Sequence, residues 1–173
     1  NDSTVRAAAI ALGADVPYFL EGGTVLGLER GDLLFPLIDP PAASVVLVLP
    51  DFGVSTKEAF RWFDQKEARS FQPSAGHPLE RLALPEAGND LEAPVVARHP
   101  EIGRIISALL RAGGSQAAMS GSGSAVFGLF SSRTAALAVA KPLASASRRV
   151  VVSRTLNRQR YQTIEGRYAH RIN

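Results

Sequence analysis

Two short stretches carry residue types that could do chemistry. The first is GADVP, residues 13–17, where Asp15 stands between Ala14 and the pair Val16-Pro17. A lone carboxylate there can orient a hydroxyl and accept its proton. It can equally do no more than bind the next backbone amides in an Asx turn. The second is MSGSGSAVFGLF, residues 119–130. Gly121 and Gly123 allow a tight turn with free N–H groups, and Ser120, Ser122 and Ser124 set hydroxyls beside them. Such a nest can hold an anion. The alternative is a plain hairpin turn, although a two-residue turn does not require three serines. The stretch is not a Walker A loop, because no Gly-Lys-Ser follows, nor a dinucleotide fingerprint, because a strand pattern comes next. His77, His99 and His170 lack metal-site spacing, so no metal ligand is assigned. His99, before Pro100, reads as a helix start, and Trp62 with its neighbouring phenylalanines as core.

The elements around these stretches fix where they sit. Residues 3–12, STVRAAAIAL, read as a helix capped by Asp2 or Ser3, with Val5, Ala8, Ala9 and Leu12 on one face. Gly13 is expected in the left-handed position that ends it, and Pro17 biases Val16 towards extended backbone. Asp15 then lies just past a helix C-terminus, where the helix dipole disfavours an anion. That cost points to a use. Residues 23–38 read as two strands around ERGD, and SVVLVLP as a buried strand. STKEAFRWFDQ reads as a helix with Ser55 and Glu58 at capping-box spacing and Phe60 and Phe63 facing inwards.

Residues 70–89 are rich in Pro and Gly and read as a loop with one short helix. NDLEAPVVARHP is a helix capped by Asn89 or Asp90. In HPEIGRIISALLRAGG, Ile102, Ile105, Ile106, Leu109 and Leu110 form an apolar helix face that Gly113 ends. Strand, glycine turn and strand follow, then a helix interrupted near Pro142, then the strand RRVVVSRTL. From residue 44 the order β-α-(loop)-α-β-β-α-β predicts an α+β fold with a ferredoxin-like lobe.

Bulk properties exclude several classes. The 173 residues suffice for one domain or two small lobes, with 46% hydrophobic and 20% charged residues. There is no cysteine, which excludes disulfides and thiolate metal sites and fits a reducing cytoplasm. No apolar run reaches the roughly 18 residues of a membrane span. The net charge is +3, and Arg148, Arg149, Arg154, Arg158, Arg160, Arg167 and Arg171 crowd the last quarter. Such a tail could meet phosphates or nucleic acid, but no aromatic residues interleave it as a base-stacking platform, so a solvated face is the expectation.

In combination, LGADVPYFLEGGTVLGLERGDLLFPL, VSTKEAF, NDLEAPV, HPEI and MSGSGSAVFGLF resemble the GHMP superfamily of small-molecule kinases, block after block in order. The joint presence of GGT-x-x-G, VST-x-EAF and NDLE is the more specific part of the resemblance. It implies a remnant of the N-terminal nucleotide-binding lobe over 1–40, a GHMP kinase C-terminal domain over 41–155 and a basic tail over 156–173. It makes Asp15 the base or electrostatic anchor beside an acceptor hydroxyl, its field strengthened by the apolar flanks. It places Ser120, Gly121, Ser122, Gly123 and Ser124 near the phosphates, and Thr56 near the substrate pocket.

The resemblance further implies ATP as donor, Mg²⁺ as its companion, and a cytidine-diphosphate polyol of non-mevalonate isoprenoid biosynthesis as acceptor, in a cytoplasmic enzyme. Family members begin with a lysine-bearing segment and a glycine-rich phosphate loop. Neither occurs in this sequence, and Lys57, Lys66 and Lys141 match no such lysine. The missing N-terminal segment is therefore the expected partner, and the chain alone is expected neither to bind ATP tightly nor to turn over. The rivals are a homoserine- or mevalonate-type kinase, separable by a substrate panel, and a non-catalytic ferredoxin-like module binding nucleic acid through its basic tail, recognisable by salt-dependent RNA binding.

Overall fold

The computed structural model describes residues 2–70 and 88–169. It divides into two compact units, 1–42 with 155–173, and 43–154. The loop read over 70–89 falls mostly outside the described residues.

The first unit opens with α1 (Asp2–Leu12), whose alanines favour helix. Gly13 does not end it in a left-handed turn, because its φ is not positive. Its N–H still reaches Ala9 O at 3.2 Å, and Val16 N–H reaches Gly13 O at 3.1 Å, so the chain runs on through turns into α2 (Tyr18–Glu21). Of the expected apolar face only Ala9 is buried. Val5 is 51% and Leu12 79% exposed. Among the described residues of this unit, only a four-residue helix, a hairpin and one further helix are available to cover them.

Strands β1 (Val25–Leu28) and β2 (Leu33–Pro36) pair antiparallel, with Leu28 opposite Leu33. Glu29 and Gly31 take the positive φ values that the ERGD turn needs.

The second unit contains β3 (Ser44–Pro50), α3 (Thr56–Ser70), α4 (Glu92–Val96), α5 (Pro100–Arg111), β4 (Gln116–Met119), β5 (Val126–Phe130), α6 (Arg133–Leu143) and β6 (Arg148–Arg154). Its sheet runs β4-β5-β3-β6, antiparallel throughout. This is the ferredoxin-like arrangement that the element order predicts. Strand β3 is central, which is why VVLVL lacks polar alternation.

The pairings Val46↔Gly128, Val46↔Val152 and Met119↔Val126 put Val46, Val126, Met119 and the partly buried Val152 on one face, with one residue from each strand. Ile102, Ile105, Ile106 and Leu109 of α5 pack against that face and are at most 8% exposed. Burying an aliphatic side chain this fully contributes about 1.5–3 kcal/mol. Leu110, read onto the same face, is 46% exposed, since it follows Leu109 round the helix towards solvent.

Phe60 is likewise exposed, while Ala59 is fully buried and Trp62 packs against the core. The small Ala59 lets α3 approach its neighbours, and that rotates the larger Phe60 outwards. Helix α4 begins after Leu91, whose N–H donates to Asn89 Oδ1 at 3.1 Å, so Asn89 does serve the helix start. His99 precedes the N1 proline of α5, in line with its reading as a helix start. Its ring stacks on Phe52, with centroids 5.0 Å apart.

Helix α7 (Arg158–Ala169) belongs to the first unit. Asp39 holds its start: Oδ2 accepts from Arg158 N at 2.8 Å, and Oδ1 accepts from Thr24 N at 2.7 Å. The Arg158 guanidinium donates to Thr24 O at 2.7 Å and Leu37 O at 3.3 Å. Tyr161 donates to Phe19 O at 2.8 Å. Its ring covers Gly22, where a Cβ would stand 2.2 Å from the ring edge, so any side chain there would displace α7.

The backbone N–H of Arg158, then those of Thr24 and the Arg158 charge, hold the Asp39 carboxyl below its ordinary range. A lowered carboxyl stabilises the fold above its unfolded pKa, and that contribution is lost as pH falls through the lowered value. Asp39→Asn is therefore expected to melt below the parent at about pH 7, and the difference should be smaller at about pH 3. Thermal unfolding at the two pH values checks this.

Candidate active site

Asp15 lies in the turn 14–17 that joins α1 to α2. Its flanks are covered, Ala14 and Val16 partly and Pro17 fully, but Asp15 itself is exposed. The apolar neighbours therefore do not take the carboxylate out of water in this chain. The Asx turn is not formed either. Among the described residues, Asp15 makes no hydrogen bond or ion pair. Its lone pairs are free, which a proton acceptor requires.

In the second unit, six residues, 120–125, join β4 to β5, so the connection is not a two-residue turn. Ser120 N–H closes it on Ala125 O at 2.8 Å, and Gly123 N–H turns back to Ser120 O at 3.0 Å. Gly121 and Gly123 have φ of 56° and 91°. The amides of Gly121, Ser122 and Ser124 have no partner among the described residues. Unspent N–H groups in a glycine turn are the donor set of an anion nest.

The three serines differ. Ser120 is exposed. The Ser122 hydroxyl meets that of Thr56 at 3.0 Å, so Thr56 at the start of α3 does reach the loop. Ser124 is 8% exposed and donates to Phe52 O, which spends its proton inside the fold. Ser124→Ala is expected to cost about 1–3 kcal/mol, because the Phe52 carbonyl loses its donor. Ser122→Ala should stay within about 0.5 kcal/mol. Urea unfolding of the two variants measures both.

Sequence reasoning missed the residues that hold this loop from outside. Asn89 Nδ2 donates to Met119 O at 3.0 Å and to Gly121 O at 2.7 Å, and its Oδ1 accepts from Leu91 N at 3.1 Å. Glu92 Oε2 accepts from Met119 N at 2.8 Å. Strand β4 is an edge strand, so the outward N–H and C=O of Met119 need partners from elsewhere. The i, i+3 pair of amide and carboxylate in NDLE was the available signal. A local explanation, helix capping, concealed it.

Residues 71–148 match the family model described as GHMP kinases C terminal. The chain is 46% identical over 136 residues to the 4-diphosphocytidyl-2-C-methyl-D-erythritol kinase of Solibacter usitatus, covering 72% of this chain and 42% of that protein. The chain is similar to GHMP kinases, and residues 71–148 carry the family match. A second GHMP relative, the enzyme of the same name from Anaeromyxobacter dehalogenans, is 38% identical over 168 residues, 90% of this chain and 53% of its own length. The chain spans about half the length of the curated relatives it matches.

The crystal structure of a 4-(cytidine 5'-diphospho)-2C-methyl-D-erythritol kinase superposes with a TM-score of 0.68 at 30% identity, over 87% of this chain and 56% of that one. The homoserine kinase of Cytophaga hutchinsonii shares the GHMP fold at a TM-score of 0.50 and 21% identity, over 84% of this chain and 52% of its own. The α+β reading therefore holds. Among the described residues no helix is long and apolar enough to cross a membrane, and no group of three His, Cys, Asp or Glu could hold a metal ion.

Proposed function

We propose that this chain is the acceptor-side portion of an ATP-dependent kinase that phosphorylates a hydroxyl of 4-diphosphocytidyl-2-C-methyl-D-erythritol. The observation that carries the reading is the loop 120–125, whose unpartnered amides suit a phosphate, in a chain related to kinases of that name. Asp15 orients the acceptor hydroxyl and takes its proton as the oxygen attacks the γ-phosphorus of ATP and ADP leaves. The loop amides meet charge on the phosphate oxygens. The Ser122 and Thr56 hydroxyls, 3.0 Å apart, stand beside those amides in the second unit.

Magnesium, which phosphoryl transfer from ATP ordinarily uses, would arrive with the nucleotide. The described residues form no cluster to hold it, and the roles of Asp15 and the loop do not depend on it. The part of the relatives' length that this chain does not span would supply the remaining nucleotide contacts. The same reading places the enzyme in the cytoplasm, where ATP is available.

The test is hydrogen exchange in an enzyme of the relatives' full length that carries this sequence. Adding ATP and the cytidine substrate is expected to slow exchange at the amides of Gly121 and Ser122. Unchanged exchange at those amides with both ligands bound would remove the loop from the site.

A further inference from the structure

We infer that Asn89 is a positioning residue that aims the Ser122 N–H at the phosphate. The inference rests on the kinase reading above and adds a residue and a device to it. A peptide group is planar and trans, so its C=O and N–H point in opposite directions. The Gly121 carbonyl shares its peptide group with the Ser122 N–H. Asn89 Nδ2 holds that carbonyl at 2.7 Å, so the unpartnered Ser122 N–H faces away from Asn89.

A glycine at φ 56° can otherwise rotate the following peptide at little steric cost. Without the carboxamide, nothing among the described residues bonds the Gly121 oxygen. The second Nδ2 hydrogen holds Met119 O at 3.0 Å, and Glu92 takes Met119 N–H, so the end of β4 from which the loop springs is fixed as well.

The chemistry demands a carboxamide. Two carbonyls can only accept and the Leu91 amide can only donate. One side chain must therefore offer two N–H groups and an oxygen at once, which is what Asn supplies. A carboxylate of the same shape would keep the Leu91 bond and set an oxygen against both carbonyls.

Asn89→Asp is the corresponding test. In an enzyme of the relatives' full length carrying this sequence, kcat is expected to fall by about 10²-fold, the scale of losing one oxyanion donor. KM for the cytidine substrate should change by less than about threefold. In the 173-residue chain, the Ser122 amide resonance should move while those of α5 stay in place. A kcat loss no larger than the drop in melting temperature implies, or an unmoved Ser122 resonance, would overturn the inference.

If Asn89→Asp fails to fold, Asn89→Ser keeps an acceptor for Leu91 and is too short to hold both carbonyls, and the same two readouts apply. Failure of the kinase reading is distinct. In that case the parent enzyme transfers no phosphate, while the resonance of Ser122 still answers to residue 89.

Discussion

Asp15→Asn, in an enzyme of the relatives' full length carrying this sequence, lowers turnover by about 10²-fold or more while folding and substrate binding persist. The geometry makes this a clean substitution. Asp15 is exposed and makes no hydrogen bond or ion pair among the described residues, so the amide deprives no neighbour of a partner. Asn also tolerates turn backbone as Asp does. Only the charge and the proton-accepting oxygen are lost. If the carboxylate were a bystander in the connector, kcat would be nearly unchanged. Steady-state kinetics beside a thermal melt separates the two, because a role in folding would lower the melting temperature first.

The second large effect is expected at Gly121. Its φ of 56° lies in the left-handed region, where a Cβ costs about 1–2 kcal/mol, and nothing stands within 4 Å of where that Cβ would go. The methyl of Gly121→Ala thus enters open space, which is the space a phosphate on this loop would need. A fall of about 10²-fold in kcat/KM is expected, since displacing a ligand by about 1 Å can cost that much. The melting temperature should drop by only about 2–8 °C.

Gly123→Ala behaves differently. Its φ is 91° and its Cβ would come 2.8 Å from Met119 Sδ, so stability and rate should fall together. Kinetics and melting of both variants form the check. A Gly121→Ala enzyme whose kcat/KM tracks its stability would make the loop a structural turn.

The sheet was legible because its signals are local and redundant. VVLVL without polar alternation marks a central strand, and the i, i+3, i+4 spacing of Ile102, Ile105, Ile106 and Leu109 marks the helix that covers it. The errors sit where tertiary geometry decides. Side-chain size favoured Phe60 as the inward residue of α3, but close packing chose Ala59. Gly13 suggested a left-handed stop, yet the chain continues in turns towards α2. Val5 and Leu12 are apolar at helical spacing but exposed, because periodicity reports an amphipathic face without saying what lies over it.

The site was half legible for the same reason. The resemblance put the serines of 120–124 near the phosphates and Thr56 near the substrate pocket, but that Thr56 meets Ser122 is visible only in the fold. Asn89 reaches Gly121 across 32 positions of sequence, and nothing local announces such a contact. The arginine-rich end read as a solvated face, yet the Arg158 guanidinium is turned inwards onto the Thr24 and Leu37 carbonyls. Burying the planar guanidinium on two carbonyls depends on where the hairpin places them, which composition does not encode.

The acceptor and the part played by Asp15 are tested together by following labelled γ-phosphate from ATP in an enzyme of the relatives' full length carrying this sequence. Three acceptors are offered separately: 4-diphosphocytidyl-2-C-methyl-D-erythritol, homoserine and mevalonate. Label is expected on the cytidine compound alone, and it should nearly disappear in Asp15→Asn. Label on homoserine or mevalonate instead, or equal transfer by the parent and Asp15→Asn, would contradict the kinase reading.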